Sequence, residues 1–305
     1  MKNEKIPELT VDAFQIKKNE KSIRIGWSLF LLTAAIALLI LTFTHVRISH
    51  MHSGMQITAI IILAFFAEYV DSSLGMGYGT TLTPLLLIFG FNPIQIVPAV
   101  LLSEFISGIT AGALHHSLGN VDFRKGTQAT RTMSILSVCS VVGTVVAVFL
   151  ALSLPSRIVK GYIGIMILCI GLFIIFGGRL ISSISFSIKK IIALGTIAAF
   201  NKGISGGGYG PLVTGGQVIS GVPEKSAIGI TSLAEGIVCL VGLILYVSFN
   251  GMPFWNLALP LTIGAILSVP LAAYTVKILP SVLLRRYIGY ATLFLGTLTL
   301  VKLFV

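Results

Sequence analysis

Five ionisable residues, Glu68, Asp71, Glu104, Lys202 and Glu235, lie within otherwise apolar stretches of the sequence. Carboxylates and an ammonium in such places suit ion pairing, proton binding or the balancing of a solute's charge. Each costs about 2.5–3.5 kcal/mol to insert at the centre of a membrane helix, so five without partners would cost roughly 12–17 kcal/mol. They must therefore face one another, a cavity or water. Two glycine clusters lie close by, GMGYG at 75–79 and GGGYG at 206–210, with hydroxyl and amide groups from Tyr78, Thr80, Thr81, Asn201, Ser205 and Tyr209. Helical arms starting after Gly79 and Gly210 would aim their positive ends and free N–H groups at the gap, which suits an anion.

The elements that must position these groups follow from composition. The chain has 305 residues, of which 10% are charged and 55% hydrophobic, with a mean hydropathy of +0.98. Soluble domains carry about 25% charged residues. So little charge cannot coat a soluble particle of this size, which excludes an ordinary cytosolic enzyme, a disordered chain and a nucleic-acid module. An all-α polytopic membrane protein in contact with the lipid bilayer is the class that remains. No cofactor or metal is expected, because Cys139, Cys169 and Cys239 sit in apolar runs without ligand spacing and read as buried thiols.

Residues 1–24 form a polar, Lys- and Glu-rich tail, and 25–46 is a 22-residue apolar run, too long for a signal-peptide core. Further apolar stretches cover 57–90, 94–114, 129–152, 159–176, 191–220, 227–249, 255–274 and 287–305. Most match one helical crossing of a hydrocarbon layer about 30 Å thick. The stretches of 34 and 30 residues at 57–90 and 191–220 do not, and each contains one of the glycine clusters. Reading both as hairpins that enter and leave by one face places 16 Lys and Arg residues on the inner side and 4 outside, with Lys202 in the membrane; single crossings give 12 against 8. The hairpin reading obeys the positive-inside rule better, with the N-terminus cytosolic and the C-terminus outside the cytoplasmic membrane.

The two long stretches also match each other. A shift of 131 residues carries Gly75 onto Gly206, Gly77-Tyr78-Gly79 onto Gly208-Tyr209-Gly210, Leu102 onto Leu233 and Glu104 onto Glu235. Each half reads as one glycine-broken re-entrant hairpin followed by three crossings, so the second copy is inverted. The resulting organisation is a tail at 1–24, an extra transmembrane helix at 25–46, repeat 1 at 57–180 and repeat 2 at 188–305. Inverted repeats with broken helices are a recurring architecture of secondary transporters, with the solute site at the repeat interface. The shift aligns Asp71 with Lys202, which suggests a pair across the pseudo-two-fold axis.

The stretches EYVDSSLGMGYGTTLTP at 68–84, NPIQIVPAVLLSE at 92–104 and GISGGGYGPLVTGGQVISG at 203–221 resemble the paired glycine-rich signatures of the TauE/SafE sulfite exporter family, also called TSUP permeases. The resemblance covers 57–305 and implies secondary transport of sulfite, sulfonates, thiosulfate or related small organosulfur and organic anions. On that reading Gly75, Gly77, Tyr78, Gly79 and Thr80, with Lys202, Ser205, Gly206, Gly207, Gly208, Tyr209 and Gly210, bind the solute. Glu68, Asp71, Glu104 and Glu235 serve charge balance or proton coupling. No catalytic residue is assigned, and a homo-oligomer is left open.

Two other functions fit parts of the pattern. Four carboxylates against one lysine would also suit a cation channel or carrier. Gly203-Ile204-Ser205-Gly206 satisfies the GxSG pattern of intramembrane serine proteases, but all five histidines, His45, His50, His52, His115 and His116, lie at span ends or loops of the first half. A nucleophilic serine needs a base in reach. His115 and His116 are expected at the lipid interface, and Trp27 and Trp255 as interfacial anchors.

Overall fold

Side chains that are apolar on every face cannot be satisfied by one-sided burial, so helices built from them suit lipid and helix neighbours together. The computed structural model describes residues 53–180, 188–220 and 222–278, with isolated positions beyond. Contacts separate 1–46 from 47–305, and the helices named below all belong to the second unit. The tail at 1–24, the run at 25–46 and the last span at 287–305 lie outside the described residues, apart from a few helical positions in the last.

Among the described residues there are nine helices: α1 (Ser53–Leu74), α2 (Tyr78–Ile88), α3 (Pro93–Ser117), α4 (Gln128–Ser153), α5 (Ser156–Leu180), α6 (Ile188–Ser205), α7 (Tyr209–Ile219), α8 (Glu224–Asn250) and α9 (Trp255–Ile278). The protein is a polytopic helical membrane protein, and α1, α3, α4, α8 and α9 are long and apolar enough to cross a bilayer. The two long stretches are unequal in their arms. At 22 residues α1 is about 33 Å long, whereas α2, at 11 residues, is about 16 Å, half the thickness of a hydrocarbon layer. The same holds for α6 and α7, with 18 and 11 residues.

The helices pack in a pattern of exchanged partners. Helix α3 packs on α8, α1 on α9, and α4 on α6, while α9 also meets α3 and α4 meets α8. Swapping α1 for α6, α3 for α8 and α4 for α9 returns the same set of contacts. The α3–α8 crossing is close because it is built on small residues. A Cβ on Gly108 would stand 2.7 Å from the Ser232 carbonyl oxygen. Outward faces carry large apolar side chains, such as Val138 at 73% and Leu267 at 59% exposure, as a lipid-facing surface requires.

Proline and the polar ends set the boundaries. Pro93 opens α3, where its missing N–H costs nothing. The Asn92 amide donates to the Gln95 side chain at 3.0 Å, and Thr127 caps α4 by accepting from Thr130 N. Pro84, Pro98, Pro260 and Pro270 lie inside helices. Between α3 and α4, Arg124 grips Asp122 at 2.7 Å, and its hydrogen bonds hold that carboxyl down to about 2. The loop turns Asn120 inward to donate to His115 Nδ1 and to the Ala273 carbonyl, both at 3.0 Å. His115 Nε2 lies 3.0 Å from the Ser72 carbonyl. His115 is thus fully buried and ties α1, α3 and α9 together, not at the interface as its place beside a loop suggests. Cys239 is buried, Cys139 half-buried, and Cys169, against expectation, exposed.

Candidate functional site

Helix α1 ends and α2 begins across Gly75 and Gly77, with φ of +66° and +138°; α6 and α7 meet across Gly206 and Gly208, at +72° and +83°. Side-chain-bearing residues rarely adopt these angles, so the glycine clusters break both helices where the sequence places them. The two breaks lie against each other. Cβ atoms on Gly79 and Gly207 would collide with backbone of the opposite break, the former with the Gly206 carbonyl and the latter 2.6 Å from the Gly79 carbonyl carbon. A Cβ on Gly210 would stand 2.5 Å from the Gly75 oxygen. Two hydroxyls fasten the contact: Thr83 donates to the Ser205 carbonyl at 2.8 Å and Thr214 to the Gly75 carbonyl at 2.7 Å. Thr83 and Thr214 are themselves related by the 131-residue shift, a signal present in the sequence that hydroxyl-by-hydroxyl reading beside the glycines passes over.

The intramembrane ionisable residues gather beside the breaks, all buried. Lys202 Nζ pairs with Glu104 Oε2 and, at 2.7 Å, with Glu235 Oε1. The Glu104 Oε1 atom has no hydrogen-bond partner among the described residues. Glu68 accepts from Ser72 at 2.6 Å and from Ser107 at 3.0 Å. Asp71 accepts from the Tyr78 amide at 3.3 Å.

The ion pairs of Lys202 therefore run to the two glutamates and not to Asp71. Capping chemistry explains the difference. A carboxylate can accept from the first N–H of the helix after the break, as Asp71 does for α2, whereas an ammonium has no acceptor. In the second break no side chain caps α7, and Ser205 ties only the loop before it, its Oγ accepting from Gly207 N at 3.0 Å and donating to the Asn201 carbonyl at 2.7 Å. Lys202 is left free to reach α3 and α8.

Exchanging Asp71 and Lys202 in a double variant should consequently fail to restore function. It would gather an aspartate with Glu104 and Glu235, and stranded buried charge costs about 3–5 kcal/mol. Solute flux and thermal stability of the double variant should both stay at the level of the worse single one. Recovery to wild-type flux would show that Asp71 and Lys202 form a simple pair.

The remaining candidates divide. Tyr78 and Tyr209 are fully buried, but their hydroxyls face protein: Tyr78 approaches Ser103 at 2.6 Å and the Leu261 carbonyl at 3.3 Å, and Tyr209 approaches Ser140 at 3.3 Å. What they offer the gap is main chain. Thr80 is buried at the head of α2. The Ser205 hydroxyl is engaged with main chain and, at 3.6 Å, with the Met166 sulfur, and neither His115 nor His116 bonds to it. Ser72, Ser103 and Ser107 were not singled out from sequence, although Ser72 and Ser107 complete the shell of Glu68.

A family model described as sulfite exporter TauE/SafE matches residues 60–299. Over 259 residues, 80% of this chain and 83% of the relative, the sequence is 26% identical to the probable membrane transporter protein YtnM of Bacillus subtilis (strain 168). No solved structure matches the chain.

Proposed function

Because the chain belongs to the TauE/SafE sulfite exporter family and is a membrane transporter, we propose that it carries sulfite, a sulfonate or a related small organosulfur or organic anion across the cytoplasmic membrane by alternating access. The observation that carries this reading is the mutual seating of two broken helices, with their main chain in contact, inside a shell of buried ionisable groups. Lipid tolerates irregular backbone only where it is covered by protein or lines a polar space. Parting the tips would release amides of residues 77–80 and 207–210 for an anion's oxygens, and rocking of one half against the other would turn that space from one side to the other.

The carboxylates supply the coupling. Lys202 is already neutralised by Glu104 and Glu235, so an arriving anion needs a proton on one of them, or a second cation, to keep the site near neutrality. Glutamine at Glu104 or Glu235 should preserve solute exchange and abolish accumulation driven by a pH gradient; unchanged pH dependence in both variants removes these residues from coupling. The deciding experiment is flux into proteoliposomes from a panel of sulfite, thiosulfate and sulfonates, where absence of movement for every member defeats the substrate class. The excess of carboxylates over lysine favours one competing reading, a cation carrier. Currents that reverse with the cation gradient, whatever the anion, would establish it. A reporter fused after Val305 should lie outside the cell, and cytosolic activity would reverse the assigned orientation.

A further inference from the structure

Between α5 and the α6–α7 pair lies a crevice of about 410 Å³, within the roughly 300–1,000 Å³ typical of small-molecule sites. Its walls are Ile165, Met166 and Leu212, and Tyr162 and Asn201 supply its polar groups. The crevice adjoins the second break, since a Cβ on Gly208 would touch Met166 Sδ at 3.1 Å and Asn201 Cβ at 3.2 Å. Asn201 is only 9% exposed. Its Oδ1 accepts from the Tyr162 hydroxyl, and among the described residues its amide nitrogen donates to no acceptor. A donor held in place in a mostly apolar cleft, beside an uncapped helix start at Tyr209, fits a ligand with an acidic head and a hydrocarbon body.

We propose that this crevice binds the hydrocarbon part of an organic anion whose acidic group sits at Asn201 and the second break, so that the protein prefers amphiphilic sulfonates to bare sulfite. The proposal rests on the transport reading above and deepens its substrate class. Burial of each methylene strengthens binding by about fourfold at most. Helix α5 lies outside the two segments matched by the repeat shift, so nothing in the glycine motifs encodes this preference.

The test compares uptake of sulfite with that of methane-, butane- and octanesulfonate, the last below its micelle-forming concentration, in proteoliposomes of the wild type and of Ile165→Trp. Half-saturating concentration should fall two- to fourfold per methylene in the wild type, and the octanesulfonate-to-sulfite preference should collapse towards 1 in the filled variant. Movement of sulfite without chain-length dependence, or equal dependence in both proteins, overturns the proposal and leaves the transport reading intact. If the wild type moves none of the four, sulfite and simple sulfonates fail as substrates independently of the crevice, which is then judged by labelling. Cys169 lines it and is exposed; its alkylation by N-ethylmaleimide in nanodiscs, followed by mass spectrometry, should slow about tenfold with octanesulfonate and not with sulfite. Unchanged labelling, or protection that follows added phospholipid and not the sulfonate, overturns the assignment.

Discussion

Replacing Lys202 by methionine should destabilise the protein by about 3–5 kcal/mol and abolish transport, because it removes the cation between two buried carboxylates and leaves like charges facing each other. The loss should reverse in large part when Glu104 and Glu235 are made glutamine in the same chain. The triple variant leaves neither of the former partners of Lys202 charged, and replacing a buried ionic cluster by neutral groups is often close to energetically neutral. Thermal unfolding in detergent measures the first effect and proteoliposome flux the second. The expected result is a stable triple variant that still fails to accumulate solute against a pH gradient. If Lys202→Met unfolds at the wild-type temperature, the ion-paired cluster is not a stabilising element. If the triple variant accumulates solute normally, none of the three charges takes part in the transport cycle.

Alanine at Gly79 or Gly207 should be nearly as damaging, through shape instead of charge. The added methyl would meet main chain of the opposite break, which cannot turn aside as a flexible side chain can. Overpacking of this kind costs about 1–3 kcal/mol and sometimes more, and here it would also hold the tips apart. Gly54→Ala is the matched control, with nothing within 4 Å of its Cβ position. It should be neutral or slightly stabilising, given the helix preference of alanine over glycine by about 1 kcal/mol. Flux and thermal stability read for all three variants separate the cases; wild-type behaviour of both Gly79→Ala and Gly207→Ala would mean that the breaks are not in contact in the membrane.

Much of this arrangement is legible in one dimension. Glycine runs disfavour straight helices, and a fixed spacing from tyrosine to glutamate in both halves marks corresponding positions, so breaks at the two glycine clusters are the expectation from the sequence. Partner choice is less accessible. Alignment of Asp71 with Lys202 identifies equivalent places, but the pairing of Lys202 depends on which side chain can accept a main-chain N–H and on α3 and α8 bringing Glu104 and Glu235 within reach. His115 shows the same limit, since its burial depends on a loop that turns Asn120 back to meet it. The crevice beside α5 is harder still, because a hollow is defined by what three helices leave unfilled and has no residue pattern of its own.

The unequal treatment of the two helix starts has a kinetic meaning. One tip carries an acid against its leading amide, while the other has no side-chain cap and only a neutral hydroxyl on the loop amide of Gly207, so the pair is mirrored in shape yet lopsided in field. A negative guest should therefore leave towards one compartment faster than towards the other. Equal concentrations still balance at rest, but the forward and reverse maximal velocities should differ, making the device a rectifier by rate and not by equilibrium.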